Sequence, residues 1–280
     1  MNKNPFIRLK RFFLYFTLTI LMGFFMFPVY WIFFTSIQGS NLFVRNISFI
    51  PRSITFSNYL DLFVEGKFYI VTPLINSLRV ALLTTIVCLI LGIFSSYAFA
   101  RLRFKGSTTI FYLLIFTEML PPISFLIPLY ILFRRLALIN TFGGLMIGYT
   151  AWLLPIVTWI LYSYFKTIPQ DLEDSARIDG CTRVGALFRV VIPVSFPGIA
   201  ASAVVCFIFS IGEFIFALTV ITQEKVHTLP LALSEFVLKY SVEYGKLAAA
   251  SIIMFLFPIL FALIFQKFLV KGLTAGAVKE

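Results

Sequence analysis

Long apolar runs dominate the chain and predict its main elements. Stretches with no charged residue, or with a single glutamate, alternate with shorter segments that carry most of the lysines and arginines. A helix that spans a lipid bilayer needs about 20 consecutive, mostly apolar residues, and six runs reach that length. We therefore predict an all-α integral membrane protein whose six transmembrane helices lie at residues 12–37, 74–100, 107–133, 141–165, 194–222 and 247–268.

Composition supports a membrane environment for these runs. Hydrophobic residues make up 60% of the 280 residues, charged residues make up 12%, and 35 positions are Phe. Average soluble domains are roughly 45–50% apolar and ~25% charged, and a soluble fold of this length has too little interior to bury the excess. The first run exceeds the roughly 7–15-residue apolar core of a signal peptide. We therefore expect it to be retained, and residues 1–280 to form a single transmembrane domain.

The basic residues predict the orientation of the chain. The 23 Lys and Arg outnumber the 12 Asp and Glu, giving a net charge of +11. Most basic residues fall on the side of the N-terminus, although Arg134 and Arg135 do not, and cytoplasmic loops carry an excess of Lys and Arg. This predicts cytoplasmic termini and contact with anionic lipid headgroups. No basic stripe with interleaved aromatic residues indicates nucleic-acid binding.

The segment between the fourth and fifth runs is the most informative polar stretch. It covers residues 167–193, and we call it the elbow. Thr167 and Gln170 have the spacing of a capping box, and Gly180 suits the left-handed position that follows a helix C-terminus. These signals predict a short helix over about residues 168–179, outside the bilayer.

A second short helix is predicted in the same segment. It begins after Thr182 and runs to about Val191, and Pro193 ends it and opens the fifth span. Leu172 and Leu187 give the elbow small apolar faces beside charged residues. From the residues alone, two interpretations stay open: a helix that docks into a groove of another protein, or a solvated connector.

The elbow resembles the "EAA" signature of permease subunits of bacterial ABC importers, E-A-A-x3-G-x9-I-x-L-P. The matching residues are Asp174-Ser175-Ala176, then Gly180 after three residues, then Val190-x-Ile192-Pro193 after nine. Asp replaces Glu, Ser replaces the first Ala, and Val and Ile replace Ile and Leu. These changes in charge and shape are mild.

Three further stretches resemble the sugar-permease branch of this family. They are Met119-Leu-Pro-Pro-x4-Ile127-Pro-Leu-Tyr130, Phe209-Ser-Ile-Gly-Glu-Phe214 and the tail Val270–Lys279. The resemblance implies a type I ABC importer permease fold with a coupling elbow between helices 4 and 5. It also implies a bacterial inner-membrane location and a sugar or oligosaccharide as substrate.

The resemblance further implies the partners of the chain. They are a second permease subunit, commonly forming a heterodimer, two cytoplasmic ABC ATPases that bind ATP and Mg, and an extracytoplasmic solute-binding protein. The tail, residues 271–280, would reach the ATPase pair. The elbow residues implied in ATPase coupling are Leu172, Glu173, Asp174, Ser175, Ala176, Asp179, Gly180, Leu187 and Pro193.

The chain has no G-x-x-x-x-G-K-[ST] phosphate loop, so we expect no cofactor bound by it and no catalytic site.

Two carboxylates fall inside predicted spans. A charged side chain at the centre of a membrane helix costs about 2.5–3.5 kcal/mol on insertion scales, so Glu118 and Glu213 are candidates for the translocation pathway. Pro121 and Pro122 follow Glu118 and should break the helix, which lipid tolerates where the backbone lines a cavity or is buried in protein. A structural hydrogen bond to a neighbouring helix is the equal alternative for each carboxylate.

Other functions fit the sequence less well. An ion-coupled secondary transporter of small polar solutes could use Glu118 and Glu213 as proton sites, but the inverted repeat typical of many such proteins is not visible. An intramembrane enzyme would need a histidine or paired aspartates within a span. His227 is the single histidine, and it falls in an external loop. The three cysteines show no C-x-x-C spacing, so neither a disulfide framework nor a zinc site is expected.

Small residues recur at four-residue spacing inside two spans. They are Gly144 and Gly148 in the fourth span and Gly92, Ser96 and Ala100 in the second. Such residues let helix backbones approach closely in lipid. We expect them to pack helices within this chain rather than to form a subunit interface.

Overall fold

The computed structural model describes residues 5–39, 54–64, 66, 68–239 and 243–275, and these are nearly all helical. The helices are α1 (Pro5–Ser36), α2 (Ser57–Asp61), α3 (Val71–Arg101), α4 (Ser107–Phe116), α5 (Leu126–Arg135), α6 (Phe142–Thr167), α7 (Gln170–Ile178), α8 (Arg183–Ala186), α9 (Ile192–Val194), α10 (Phe196–Ile211), α11 (Ile215–Val220), α12 (Leu229–Lys239) and α13 (Tyr244–Ala275). Short 3-10 turns lie at Thr117–Met119, Pro122–Phe125 and Glu224–Val226, and a π-helix lies at Leu187–Val191.

Four helices of the described chain are long and apolar enough to cross a membrane without a break. They are α1 from Leu9 onward, α3, α6 and α13 up to Phe268. They correspond to the first, second, fourth and sixth predicted spans, with ends that differ by a few residues. Two bent helix pairs raise the number to as many as six, if each pair is counted as one span. They are Ser107–Met119 with Pro122–Arg135, and Arg183–Val194 with Phe196–Ile211.

The third and fifth predicted spans are broken rather than continuous. Helices α4 and α5, with their 3-10 extensions, meet at 99°, because Leu120 and Pro121 are extended. This is the break predicted at the proline pair. The fifth span was predicted as one helix over 194–222, and this is wrong: α10 stops at Ile211, and α11 starts only at Ile215.

Contacts divide the chain into two compact units. The first contains the residues up to Ile70 together with Glu235–Phe255. Most side chains of α1 from Leu9 to Val29 are exposed in this unit. The buried amide of Asn58 donates hydrogen bonds to the carbonyl oxygens of Ser36 (2.9 Å) and Gln38 (2.8 Å). These bonds hold α2 at the end of α1.

A lysine joins the other elements of the first unit. Lys246, in the first turn of α13, forms ion pairs with Asp61 (3.1 Å) and Glu243 (2.8 Å). Its Nζ also lies 4.5 Å from the centre of the Phe68 ring, a cation–π contact. The ring of Phe68 in turn meets that of Phe236 edge to face, with centroids 5.1 Å apart.

The second unit contains Val71–Ser234 and the residues from Leu256 onward, and its centre is α3 packed along α6 and α10. A buried cluster joins the three helices. Gly92 of α3 faces α6, where a Cβ would lie 2.6 Å from Val157 Cγ1. A Cβ at Gly148 would lie 2.2 Å from the Phe216 ring. These contacts are within the chain, as predicted for the small residues.

Polar side chains of α3 hold the segment that precedes α12. The amide of Asn76 donates to the carbonyl oxygens of Lys225 (2.9 Å) and His227 (3.0 Å). The hydroxyl of Ser77 accepts a hydrogen bond from the backbone N–H of Leu229 at 2.7 Å. Backbone groups of the irregular segment thus bond to side chains of α3, a helix far away in sequence.

Gly92 provides a test of the α3–α6 contact. We expect Gly92→Leu to lower the free energy of unfolding by about 1–3 kcal/mol, because the added side chain overpacks the core. Gly143→Leu is the matched control, because no atom lies within 4 Å of a Cβ at Gly143. The measurement is the thermal unfolding midpoint of the purified protein in detergent. Equal midpoints for the two variants would contradict the close packing.

Candidate functional site

The elbow consists of two short arms joined at Gly180. The first arm is α7, and the second runs from α8 through the π-helix to α9. Gly180 has φ 91°, and around it the N–H of Cys181 donates to the Ala176 carbonyl (2.9 Å) and the N–H of Gly180 to that of Arg177 (3.1 Å). This is the Schellman arrangement. It confirms the predicted left-handed position and satisfies carbonyl groups at the end of the helix.

The start of the first arm differs from the prediction. Thr167 is the last residue of α6, and its hydroxyl donates to the Tyr164 carbonyl at 2.8 Å. The residue that precedes α7 is Pro169, and no side chain caps the helix there. The predicted capping box of Thr167 and Gln170 is therefore wrong, because α6 extends through the residue that would have supplied it.

The second arm begins as predicted and ends later. The Thr182 hydroxyl accepts a hydrogen bond from the N–H of Gly185 at 3.0 Å, which confirms this start. Pro193 was expected to end the arm, and this is wrong. The proline lies in α9, directly after the π-helix, and the helical backbone continues through it to Val194. The chain turns instead at Ser195, and α10 leaves at 78° to the second arm.

The structure separates the predicted coupling residues into inward and outward groups. Glu173 and Leu187 are buried, with exposed fractions of 5% and 1%. Asp174 and Ala176 are half-buried. The exposed members are Leu172, Ser175, Asp179, Gly180 and Pro193. The outward group is therefore available to a partner, whereas the inward group binds the elbow to its own chain.

Glu173 is held by two residues of α3. The Arg101 guanidinium forms an ion pair with Glu173 Oε1 through Nε. The Tyr97 hydroxyl donates to Glu173 Oε2 at 3.1 Å. Arg101 also donates through Nη2 to the Ile168 carbonyl at 2.8 Å. We call Tyr97, Arg101, Glu173 and the Ile168 carbonyl the clamp.

An apolar cluster lies beside the clamp. It joins α3, the end of α6 and the second arm, and all its members are buried. They are Tyr97, Phe165, Ile168, Leu187 and Val191. Tyr97 belongs to both groups, so its ring packs in the cluster while its hydroxyl reaches the first arm. Both arms are thereby attached to the membrane helices.

Sequence reasoning missed Tyr97 and Arg101 as members of this site. They are four residues apart on α3, so they share one helix face, and Arg101 is the first charged residue after the second apolar run. That four-residue spacing was the signal in the sequence that could have placed Tyr97 and Arg101 together. Their partner Glu173 lies 72 residues further along the chain than Arg101, and nothing in the local pattern connects the two.

The broken third span places Glu118 at its bend. Glu118 lies in the 3-10 turn Thr117–Met119, two residues before the extended Leu120–Pro121 segment begins. Glu118, Pro121 and Pro122 are all exposed in the isolated chain. A polar group is thus presented at an irregular part of the backbone.

The break in the fifth span is occupied by Glu213. Its carboxylate oxygens accept hydrogen bonds from the backbone N–H groups of Phe216 (2.7 Å) and Ala217 (3.1 Å). Glu213 therefore caps the start of α11, where N–H groups have no partner within the helix. This is a structural role within its own segment.

A further residue that sequence reasoning missed joins the α5–α6 loop to the end of α11. Asn140 has φ 59°, and its Oδ1 accepts hydrogen bonds from the N–H groups of Thr222 (2.6 Å) and Gln223 (3.0 Å). Its own N–H donates to the Val220 carbonyl at 3.1 Å. Asparagine tolerates the left-handed region better than most residues, and this was its only sequence signal.

Among the residues that the structure describes, no group of three or more His, Cys, Asp or Glu could hold a metal.

The capping role of Glu213 can be tested by stability. We expect Glu213→Ala to lower the free energy of unfolding by about 0.5–2 kcal/mol, as loss of a helix cap does. Glu213→Gln keeps one oxygen acceptor and should lose less. Glu118→Ala is the control, because it removes an exposed carboxylate. If thermal unfolding midpoints rank Glu118→Ala below Glu213→Ala, the capping role is contradicted.

Comparison with known proteins gives the family of the chain. Residues 88–275 match the family described as binding-protein-dependent transport system inner membrane component. The sulfoquinovosyl glycerol transport system permease protein SmoH of Agrobacterium fabrum is 35% identical over 255 residues, which cover 91% of this chain and 89% of that protein. The trehalose transport system permease protein SugB of Mycobacterium tuberculosis is 35% identical over 263 residues, covering 93% and 95%.

A solved structure supports the fold. It is a chain of a bacterial ABC transporter involved in the import of the acidic polysaccharide alginate, with a TM-score of 0.77 and 22% identity over 96% of this chain and 99% of that chain. The all-α membrane fold expected from the sequence is thereby confirmed. The chain belongs to the family of binding-protein-dependent transport system inner membrane components, and it is a multi-pass permease subunit of an ABC importer.

Proposed function

We propose that the chain forms part of the translocation pathway for a sugar or oligosaccharide that an extracytoplasmic solute-binding protein delivers. Two relatives that match almost the whole chain are named for transport of sulfoquinovosyl glycerol and of trehalose. Both names describe sugar-containing solutes. The matches cover 91% and 93% of this chain, which supports the same substrate class here.

The elbow transmits the motion of partner ATPases to the membrane helices. The observation that carries this proposal is the shape of the elbow, in which an internally bonded turn at Gly180 joins two arms that face the membrane helices with Glu173 and Leu187. The opposite surface exposes apolar side chains, among them Leu172 (46%) and Ile178 (86%). Exposed apolar residues on a short helix suit a groove on another protein.

The remaining machinery belongs to partners. Two cytoplasmic ABC ATPases bind ATP and Mg²⁺, and a second permease subunit completes the pathway as a heterodimer. In this arrangement the chain crosses the membrane six times, through the four unbroken helices, the bent pair of α4 and α5, and the broken fifth span of α10 and α11, and both termini are cytoplasmic. The predicted ATPase contact of the tail falls partly on residues 276–280, which lie outside the described residues.

Glu118 and Glu213 line the pathway together with the bend at Pro121 and Pro122. The exposed Glu118 carboxylate can accept hydrogen bonds from sugar hydroxyls. Glu213 is half-buried and already accepts two backbone hydrogen bonds. Its contribution is therefore to stabilise the irregular backbone between α10 and α11. An irregular backbone at membrane depth is tolerated where it lines a cavity.

The energy source separates this proposal from the alternative of an ion-coupled secondary transporter. Membership of a family of ABC importer subunits supports ATP as the source. The test is uptake by the complete complex in proteoliposomes that contain ATP, with an uncoupler present to collapse the proton gradient. Uptake that persists supports ATP coupling, and uptake that stops with the gradient contradicts it.

The turn at Gly180 tests the coupling role of the elbow. An L-residue in the left-handed region costs about 1–2 kcal/mol, so we expect Gly180→Val to reduce ATP-driven uptake by about tenfold. Gly180→Asn is the matched variant, since asparagine tolerates this conformation and no atom lies within 4 Å of a Cβ here. Uptake by Gly180→Asn should stay near the level of the unsubstituted chain. Normal transport by Gly180→Val would contradict the proposal.

The pathway role of Glu118 is tested by uptake kinetics. Loss of one charge-assisted hydrogen bond is worth roughly 1.5–3 kcal/mol, so Glu118→Gln should raise the apparent KM for uptake by about tenfold or more. Thr117→Val is the neighbouring control, since its hydroxyl bonds to the Leu114 carbonyl of its own helix. Identical kinetics for Glu118→Gln and the unsubstituted chain would return Glu118 to a structural role.

A further inference from the structure

The clamp joins the end of α3 to the end of α6 and to α7, which lie 67 and 72 residues further along the chain. Arg101 is the last residue of α3, the Ile168 carbonyl lies where α6 ends, and Glu173 is in the middle of α7. The Arg101 side chain donates to the last two groups at the same time. A planar guanidinium with donors in a fixed fork holds two acceptors in one relative position.

Helix α3 has no covalent neighbour in the elbow. The elbow continues directly from α6 and leads directly into α10, whereas α3 ends 67 residues before Ile168. Displacement of the elbow therefore acts on α6 and α10 through the chain itself. It acts on α3 only through non-covalent contacts, and in the described residues the side-chain hydrogen bonds from α3 to the first arm come from Tyr97 and Arg101.

The clamp is buried and both of its charges are compensated. The side chains of Arg101 and Glu173 are exposed by only 10% and 7%. Each Glu173 oxygen has its own donor, because Arg101 binds Oε1 and Tyr97 binds Oε2. A buried ion pair is weak evidence for stability, since apolar residues of equal volume often stabilise as well, and its best-attested role is to specify one arrangement of the parts that it joins.

We propose that Arg101 is a positioning residue that transmits displacement of the elbow to α3, through Glu173 and the Ile168 carbonyl. This inference rests on the proposed coupling function of the elbow. The Arg101 side chain is only 10% exposed, and in this proposal it acts through Glu173 and the Ile168 carbonyl rather than by binding solute. It fixes α7 against α3, so that displacement of the first arm by the ATPases also acts directly on the end of α3. Without the clamp, ATP hydrolysis continues, but the first arm moves without α3 and transport fails.

The experiment measures the ratio of ATP hydrolysed to solute transported by the complete reconstituted complex. Arg101→Gln and Glu173→Gln each remove one charge of the pair, and Glu173→Gln also preserves side-chain size. We expect both variants to assemble with the ATPases and to hydrolyse ATP, while uptake falls by about tenfold, the effect of 1.4 kcal/mol. Arg101→Lys retains the charge but not the fork, and it should restore part of the uptake.

Two controls separate the clamp from general charge effects. Arg103→Gln removes an exposed positive charge from the turn that follows α3, and Asp171→Asn removes an exposed negative charge from the first arm. Both should leave the ratio unchanged. A normal ratio in Arg101→Gln and Glu173→Gln, or an equal change in the two controls, would overturn the inference.

The test also distinguishes failure of the clamp from failure of the proposed function. If the unsubstituted complex shows no ATP-driven uptake, the proposed function itself fails. If it transports and the clamp variants also transport normally, only the clamp is refuted. Should the charge variants not assemble, Tyr97→Phe decides, because it keeps the buried ring and removes one donor to Glu173. A raised ratio supports the clamp, and an unchanged ratio overturns it.

Discussion

Backbone polar groups that are shielded from water must find partners within the protein, and three irregular parts of the described chain are arranged around that constraint. Where α10 stops, the Glu213 carboxylate accepts the N–H groups that begin α11. Where the chain approaches α12, Asn76 of α3 binds two backbone carbonyls of the irregular segment. Where α5 turns into α6, Asn140 binds the backbone beyond α11. These three irregular segments are therefore held by polar side chains, whereas the break between α4 and α5 follows from its prolines.

The same requirement to pair buried polar groups explains why the elbow has two distinct surfaces. Its inward surface carries one charge, Glu173, and that charge is compensated by donors from α3. Leu187 adds an apolar contact from the second arm. Its outward surface keeps polar and apolar side chains exposed. A segment with this division is attached firmly to its own chain and still offers a surface to a second protein, which is what a mechanical connection between subunits requires.

Elements whose signals are local could be predicted from the sequence. The four unbroken spans, the break at Pro121 and Pro122, and the left-handed turn at Gly180 all follow from residues within one run or one turn. The gap before Ile215 was missed because hydropathy averages over a whole span, and a break of three residues barely changes the average. The clamp was missed because Arg101 and Glu173 are joined only by tertiary structure. Helix propensity also did not reveal that α6 extends through Thr167, which removed the expected cap.

The hydrogen bonds that close the Gly180 turn have a consequence for how the complex forms. The carbonyls of Ala176 and Arg177 in the last turn of α7 are bonded within the chain, and the Thr182 hydroxyl accepts the N–H of Gly185 at the start of the second arm. The elbow is therefore preorganised before any other subunit arrives. Association need not supply the conformational entropy of folding this segment, so more of the contact energy is retained as affinity.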